Sequence, residues 1–476
     1  MKKKLNYLIF LLAFFTATPF FISSCGDKEV DDKNVAGLRP TITSLSPESG
    51  KPGDLLTITG TGFGTDKTKV RVRFNTTDAT NIISVTDTKI EVEAPAGFSD
   101  QTVSVPVFIS DVASNSKTFY YVDSKPPSIT SVTATCFYGS TVVIAGNNFS
   151  ANIEDNIVKF GDVTATVTKA TKTSLTVTAP DLGTATSAGI TVTRTGIVSN
   201  AKTIAVDADQ NKVATFNWST QNIRAGIVYK VGEFSLFGSV IRKIHVLDIT
   251  LNESNTLGIG VAQTTAVPPH KATSLICNDD YNAIAGINGG YFPMDGASYK
   301  DPYIRINGAT MQLGDDEDIP RLYTNSALLI NNNVATIRKF TENHERLNQV
   351  AAAIPVAEAQ HIIVSGPMLI TNGVLESLSN ALHNTSSTGR TGLGVSEDGK
   401  RVIMVVAEYR TSGVPPPTGV STPQLAKILQ ALGAFNAMNF DGGGSSSMFV
   451  KGLGTNGRVS VNGSSERAVK SVIYVK

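Results

Sequence analysis

Between Pro40 and Val206 the chain repeats one pattern of short period-two runs, and that repeat restricts what it can fold into. Thr41-Ile-Thr-Ser-Leu45, Leu55-Leu-Thr-Ile-Thr59, Val70-Arg-Val-Arg-Phe74, Lys89-Ile-Glu-Val-Glu93 and Val103 to Ile109 alternate apolar and polar side chains, with turn residues between them. A period of two puts alternate residues on one face of a strand, so each run can bury one side only. Several such strands at short spacing predict a small antiparallel sandwich for residues 40–122. The scheme recurs over 126–206. Ile129-Thr-Ser-Val132 matches the opening, and Val143-Ile-Ala-Gly-Asn-Asn-Phe149 matches Ile58-Thr-Gly-Thr-Gly-Phe63. Val158-Lys-Phe-Gly161 and Leu175-Thr-Val-Thr-Ala-Pro180 follow in register. Two tandem copies make the same unit more secure than either alone.

These motifs resemble the immunoglobulin-like IPT/TIG family. Ile42-Thr-Ser-Leu-Ser-Pro-Glu-Ser-Gly50 and Ile58-Thr-Gly-Thr-Gly-Phe-Gly64 carry the resemblance in the first copy. The second copy has Thr133-Ala-Thr-Cys-Phe-Tyr-Gly139 in place of the Ser-Pro-x-x-Gly stretch, so its first turn is expected to differ. The resemblance implies spacers or carbohydrate-facing binders. Neither copy shows a cluster of exposed aromatics in sequence, which favours a spacer.

The chain of 476 residues exceeds one ordinary core, and about three domains is the expectation. Its 41 Lys+Arg against 40 Asp+Glu give a net charge of +1, which is no electrostatic footprint for nucleic acid. Residues 1–24 read as a secretory signal: Lys2-Lys3-Lys4, then an apolar run from Leu5 to Ile22. Ile22-Ser-Ser-Cys25 resembles a bacterial lipobox, which implies cleavage before Cys25 and lipidation of its thiol. The expected location is the cell envelope, on the outer membrane and exposed at the surface. Lipid chains would hold the protein to a membrane it does not span. Residues 25–39 form a polar tether, and its acidic start resembles the leader of surface-exported lipoproteins in Bacteroidetes. Cys136 and Cys277 lie far apart in sequence and read as two free, buried thiols, with a pairing between them the alternative.

From Asp207 the texture changes, and residues 212–476 read as one α+β domain. The whole is therefore expected to be multidomain: two all-β immunoglobulin-like sandwiches and then an α+β catalytic domain. Arg401 to Ala407 is a continuous apolar run, hence a buried strand. Thr422 to Gly433 is the clearest helix, with Thr422 as its cap, Pro423 in its first turn and Gly433 as its stop.

Asn436-Ala-Met-Asn-Phe-Asp-Gly-Gly-Gly-Ser-Ser-Ser-Met-Phe-Val450 reads as strand, tight polar loop, strand. Consecutive glycines let a ligand approach the backbone closely. Their N–H groups can form an anion-binding concavity, with Asp441 on its rim. The plain alternative is a glycine-rich hairpin turn capped by that Asp. Other polar groups follow apolar runs, where strand ends would place them: Asn288, Glu408 and Arg410, Arg390-Thr391, and Glu466-Arg467.

Five ordered stretches resemble the phosphodiester glycosidase family, which includes the mannose-6-phosphate uncovering enzyme. They are Asn288-Gly-Gly-Tyr-Phe292, Ser365-Gly-Pro-Met-Leu369, Arg390-Thr-Gly-Leu-Gly394, Asn439-Phe-Asp-Gly-Gly-Gly-Ser-Ser446 and Glu466-Arg-Ala-Val469. The resemblance implies hydrolysis of a sugar-1-phosphodiester at the anomeric carbon, as with an α-N-acetylglucosamine-1-phosphodiester. It departs from the family in having Glu408-Tyr-Arg410 for Asp-Gly-Arg, and Thr388-Gly389 for His-Pro before Arg390. His383 stands a few residues earlier and is open to two readings, a substitute for that His or a solvated loop residue.

The substrate sets the expected roles. Planar guanidinium groups bind a phosphodiester bidentately, so Arg390, Arg467 and Arg410 are the expected clamps. Gly442, Gly443 and Gly444 would add N–H donors. Paired carboxylates would stabilise an oxocarbenium-like state and activate water: Asp441 and Glu466, with Glu408 as rival for one role. Asn288, Thr391, Asn439, Ser445 and Ser446 would position sugar hydroxyls or catalytic side chains. No cofactor is expected. Asp315-Asp-Glu-Asp318 reads as a solvated acidic loop, with a divalent cation the open alternative. The expected partners are a glycan or sugar-phosphodiester substrate and, through the anchor, a membrane. Two alternatives stay open: a surface glycan-binding lipoprotein without turnover, and a factor in exopolysaccharide metabolism.

Overall fold

A computed structural model describes residues 39–122, 125–238, 240–263, 270–292, 302–312, 324–341, 347–409, 418–461 and 465–476. The chain divides into two compact units, Met1–Ser124 and Lys125–Lys476. Among the described residues no helix is long and apolar enough to cross a membrane.

The first unit is the expected sandwich. One sheet runs Thr41–Ser46, Leu55–Thr61, Lys89–Glu93, Ile82–Thr86; the other runs Ser49–Gly50, Val112–Tyr121, Gln101–Ile109, Val70–Phe74, Thr77–Asp78. The inward positions of the alternating runs form its core: Leu56, Ile58, Ile90 and Val92 from one sheet, and Val72, Phe74, Val105 and Phe119 from the other.

The second sandwich repeats the first down to single contacts. A Cβ on Gly60 would lie 1.9 Å from the Thr41 carbonyl oxygen and 2.4 Å from the Phe63 ring; on Gly146 it would lie 2.0 Å from Ser128 O and 2.4 Å from Phe149. Only glycine lets the first strand and that ring close on the backbone. Asn115 clamps Ile42, accepting from its N–H at 2.7 Å and donating to its carbonyl at 3.0 Å. Asn200 does the same to Ile129 at 2.9 and 3.0 Å. The divergent first turn of the second copy keeps the topology: Thr135–Cys136 pairs in parallel with Lys202–Val206, as Ser49–Gly50 does with the last strand of the first copy.

Among the described residues the C-terminal domain is built on three large antiparallel sheets, and Lys271–Ala272 pairs with Ala468–Val469 as a small fourth. The largest runs Ser219–Arg224, Ile227–Leu236, Val240–Thr250, Arg401–Ala407, Arg390–Val395, Asn436–Asn439, Met368–Thr371, Val374–Leu375. The second runs Leu257–Val261, Ser471–Val475, Ala285–Asn288, Ser447–Val450, Arg458–Val461. The third is centred on His361–Ser365. All three feed one core, with Leu393 and Met438 from the first, Ile287 and Ile473 from the second, and Leu328 and Ile363 from the third.

Among the described residues the helices are short, and the longest is Thr422–Ala431. The domain is more strand-dominated than an α+β reading expects, because most apolar runs pair as strands rather than covering sheets as helices. The long helix lies on the other face of the large sheet through Leu425, Ile428 and Leu429. It packs so closely that a Cβ on Gly392 would meet Leu425 and Leu429 at 2.9 Å. Its cap is Ser421, not Thr422. The Ser421 side chain accepts from Gln424 N–H, and the Gln424 side chain accepts from Ser421 N–H at 2.9 Å. That reciprocal box satisfies two groups at the helix start at once. Gly433, at φ +94°, ends it as expected. Cys136 and Cys277 are free and buried.

Candidate active site

Asp441–Ser446 is not a hairpin turn. Asn436–Asn439 belongs to the large sheet and Ser447–Val450 to the second, so the glycine stretch carries the chain from one sheet to the other. Asn288, at the end of a strand of the second sheet, ties that crossing. Its amide donates to Asp441 O at 2.8 Å, and its Oδ1 accepts from Thr391 Oγ1 at 2.7 Å and Ser447 N–H at 3.1 Å. Asp441 N–H in turn donates to Gly289 O at 3.1 Å. One buried amide therefore fixes the carboxylate-bearing residue, both ends of the loop and the strand that starts at Arg390.

Beside this loop opens a cleft of about 410 Å³, lined by Tyr291, Leu382, His383, Ser386, Thr388, Arg390, Asp441, Gly442 and Gly443. Arg390 is 2% exposed. Its Nη2 donates to the carbonyls of His383 and Ser386, and its Nε to Val420 O at 3.4 Å. The guanidinium thus holds the 382–388 wall in place while carrying its charge into the cleft lining. A Cβ on Gly442 would sit 3.6 Å from Arg390 Nη1, which puts that nitrogen against the glycine loop.

His383 and Tyr291 form a second polar group on the same wall. Tyr291 Oη lies 3.1 Å from His383 Nε2, donates to Gly366 O at 2.8 Å and accepts from Asn439 Nδ2 at 2.9 Å. The phenol has one proton; when Gly366 takes it, the His383 contact needs a proton on Nε2. Asn439 also donates to Gly366 O at 3.0 Å.

The structure brings Asp441, Arg390, Gly442 and Gly443 together and redirects several of the other expected residues. Asn288 and Asn439 are buried, and they hold other residues of the site in place, the Asp441 carbonyl and the Tyr291 phenol. Thr391 is buried on Asn288. Gly443 N–H donates to Gly389 O at 2.7 Å, and Gly442 N–H to Asp441 Oδ1 at 2.9 Å. Two of the three N–H groups expected to face an anion are thus committed inside the protein. Ser445 and Ser446 are buried beneath the loop, and Ser445 Oγ has no hydrogen-bond partner among the described residues.

Glu466 does not line the cleft: Ser274 N–H and Oγ–H bind its carboxylate at 3.0 and 2.6 Å. Its neighbour Arg467 does approach the loop, since a Cβ on Gly444 would lie 2.5 Å from Arg467 Nη2. Glu408 is 1% exposed and also lies outside the cleft lining. Its Oε1 sits 2.8 Å from His245 Nε2 and 3.5 Å from Lys243 Nζ, and His245 Nδ1 is 2.8 Å from Tyr229 Oη. Burial, and then the Glu408 charge, push the Tyr229 phenol well above its ordinary value. Arg410, Cys25 and Asp315–Asp318 lie outside the described residues. Among the described residues no three His, Cys, Asp or Glu side chains gather as a metal site.

Tyr291 was not among the residues expected at the site, and of the two readings of His383 the cleft lining fits the one that places it there. The Tyr291 signal lay inside Gly-Gly-Tyr-Phe, where the glycines bring the chain under the cleft. The short helix Leu382–Thr385, which carries His383, has no sequence signal of a site.

Residues 281–476 match the family model described as phosphodiester glycosidase, and 40–121 and 127–206 each match the IPT/TIG domain. The chain carries a phosphodiester glycosidase domain at 281–476 after two IPT/TIG domains. A curated relative, the cyclomaltodextrin glucanotransferase of Paenibacillus macerans, is 34% identical over 111 residues, which is 23% of this chain and 16% of that protein. The chain thus spans under a fifth of that relative's length. Among solved structures, the catalytic domain of zebrafish N-acetylglucosamine-1-phosphodiester alpha-N-acetylglucosaminidase, auto-inhibited by its pro-peptide, is similar at 14% identity. That match covers 52% of this chain and 81% of the other, with a TM-score of 0.39. A surface glycan-binding protein from Prevotella bryantii is similar at 13% identity over 92% of this chain and 97% of its own, with a TM-score of 0.21.

Proposed function

We propose that the phosphodiester glycosidase domain hydrolyses a sugar-1-phosphodiester at the anomeric carbon, of the α-N-acetylglucosamine-1-phosphodiester type. The observation that carries this reading is the convergence of Asp441 and Arg390 in one cleft of a domain matching that family. Water attacks C1, the C1–O bond breaks, and the electron pair leaves on the phosphomonoester. Asp441 takes the proton from water or stabilises positive charge at C1. Arg390, with Arg467 at the loop edge, offsets the charge of the phosphate. His383, with its Nε2–H on Tyr291, donates to the leaving oxygen from Nδ1–H when the ring is protonated. Glu466 acts at one remove, by fixing the segment that carries Arg467.

The test is release of reducing sugar from a panel of sugar-1-phosphodiesters, with folding checked by thermal melting. Absence of release from every donor by folded protein would sink the reading. A second reading has its own support: Glu408 and Glu466 are engaged away from the cleft, which suits a glycan binder without turnover. Asp441→Asn separates the two. Under hydrolysis the variant binds donor and fails to cleave it, whereas a binder has no cleavage to lose.

The envelope location is part of the proposal and rests on Ile22-Ser-Ser-Cys25. Incorporation of labelled palmitate that disappears in Cys25→Ala would support it.

A further inference from the structure

The second IPT/TIG domain meets the glycosidase domain along a cleft of about 820 Å³. The helix Ala208–Thr215 fixes the two walls. Asn211 serves the sandwich: its amide donates to Gly183 O at 2.8 Å, and its Oδ1 accepts from Tyr138 N–H at 2.8 Å. Its neighbour Gln210 serves the long helix, donating to Lys427 O at 3.2 Å and Gln430 Oε1 at 2.7 Å. Gln430 passes the chain on to Gly373 O at 2.7 Å. Asn211 and Gln210 are buried. A cleft whose walls are tied in this way exists before any ligand arrives, so binding loses little to ordering.

The lining is aromatic and hydroxylic, with no net charge. Phe137 and Tyr138, the latter 45% exposed, stand on the sandwich side; Asn372, Val374 and Phe435 stand opposite. The only charged residues in the lining, Asp207 and Lys427, pair with each other at 2.5 Å. That excludes an anionic ligand as the natural occupant. A pyranose ring has a face of C–H groups and a rim of hydroxyls. The C–H face suits the electron-rich face of an aromatic ring, and the rim suits threonine hydroxyls and an amide. The volume is that of an ordinary ligand pocket.

The long helix connects this cleft to the catalytic one. Next to its first turn, Val420 O accepts from Arg390, and Thr422 Oγ1 donates to His383 O at 3.4 Å. Its C-terminal end and the residues that stop it, 430–433, line the junction cleft. Ten residues at 1.5 Å each put the two helix ends roughly 15 Å apart.

We propose that the junction cleft is a second carbohydrate site, which takes an uncharged oligosaccharide portion of the glycan whose phosphodiester is cut. The ligand class rests on the catalytic reading above, but binding is measured apart from activity. Calorimetry of the full chain with neutral hexasaccharides of glucose, mannose, xylose and N-acetylglucosamine is the experiment. At least one hexasaccharide should bind. Tyr138→Ala on one wall and Asn372→Ala on the other should each weaken that binding tenfold or more. Both should leave hydrolysis of a small N-acetylglucosamine-1-phosphodiester unchanged, and Tyr138→Ala should leave the Tm unchanged as well. No binding by any hexasaccharide, or binding indifferent to both variants, would overturn the proposal. Hexasaccharide binding without phosphodiester hydrolysis would instead sink the catalytic reading and leave a binding site.

Discussion

Asp441 owes its place to a buried amide, that of Asn288. Because Asn288 holds the Asp441 carbonyl, Thr391 and the Ser447 N–H, the cleft is set by main-chain geometry rather than by loop flexibility. Asp441→Asn should lower kcat on the order of 10²–10⁴-fold, the range for loss of a general base, with Tm nearly unchanged. A drop in Tm of the same size as an Asn288→Ala variant's would assign Asp441 a structural role instead. Tyr291→Phe removes the phenol between Asn439 and His383 and should shift the pH profile of kcat while the fold persists. A profile identical to wild type would remove His383 from the mechanism. Burial pushes the Cys136 thiol up to about 11 and raises the Cys277 thiol well above its ordinary value, helped by Glu466 and Asp280. Thiol reagents at pH 8 should therefore leave both unlabelled until the protein unfolds.

Among the elements, the central strands of the large sheet carry a charge network with a defined pH response. Arg401 binds Asp248 through two nitrogens at 2.8 and 2.9 Å, and Lys230 binds it at 2.9 Å. Burial pushes the Asp248 carboxyl up, but the hydrogen bonds from Arg401 and Lys230 outweigh it and hold the group below its ordinary 3.8. The folded value lies below the unfolded one. The network's contribution is therefore present above pH 3.8 and lost as pH falls through the depressed folded value. Asp248→Asn should lower stability at pH 7 by about 1–2 kcal/mol and flatten the acid limb of the stability profile; an unchanged acid limb would refute it. At the long helix, Ser421→Ala should cost about 1 kcal/mol in denaturant unfolding, whereas Thr422→Ala should not register as loss of a cap.

For the whole molecule, the helix Ala208–Thr215 decides whether the second sandwich is a bead on a linker or part of the catalytic unit. Its hydrogen bonds to both neighbours argue for the latter. Limited trypsinolysis should leave the bond after Lys212 intact in wild type. Gln210→Ala combined with Asp207→Ala should speed its cleavage severalfold, because local opening controls access. Equal rates would mean that the hydrogen bonds do not hold the junction. In the second sandwich, Phe137 and Tyr138 line the junction cleft, a placement that two neighbouring aromatics in the sequence do not reveal.

Much of this was readable in the residues themselves. Period-two runs fixed both sandwiches, since alternation is a local consequence of strand geometry, and the run Arg401 to Ala407 gave its strand to the residue. The glycine stretch at 442–444 announced a close approach, and the five ordered motifs named the family, because turns and motifs are written in neighbouring residues. What folding alone decided was direction. Asn288 and Asn439 turn into the protein, Glu408 pairs with His245 across 163 positions and Glu466 with Ser274 across 192. Tyr291 and His383 meet across 92. A side chain's partner depends on which strand lies beside its own and which face it occupies, and sheet order is set by contacts distant in the chain that no local pattern encodes.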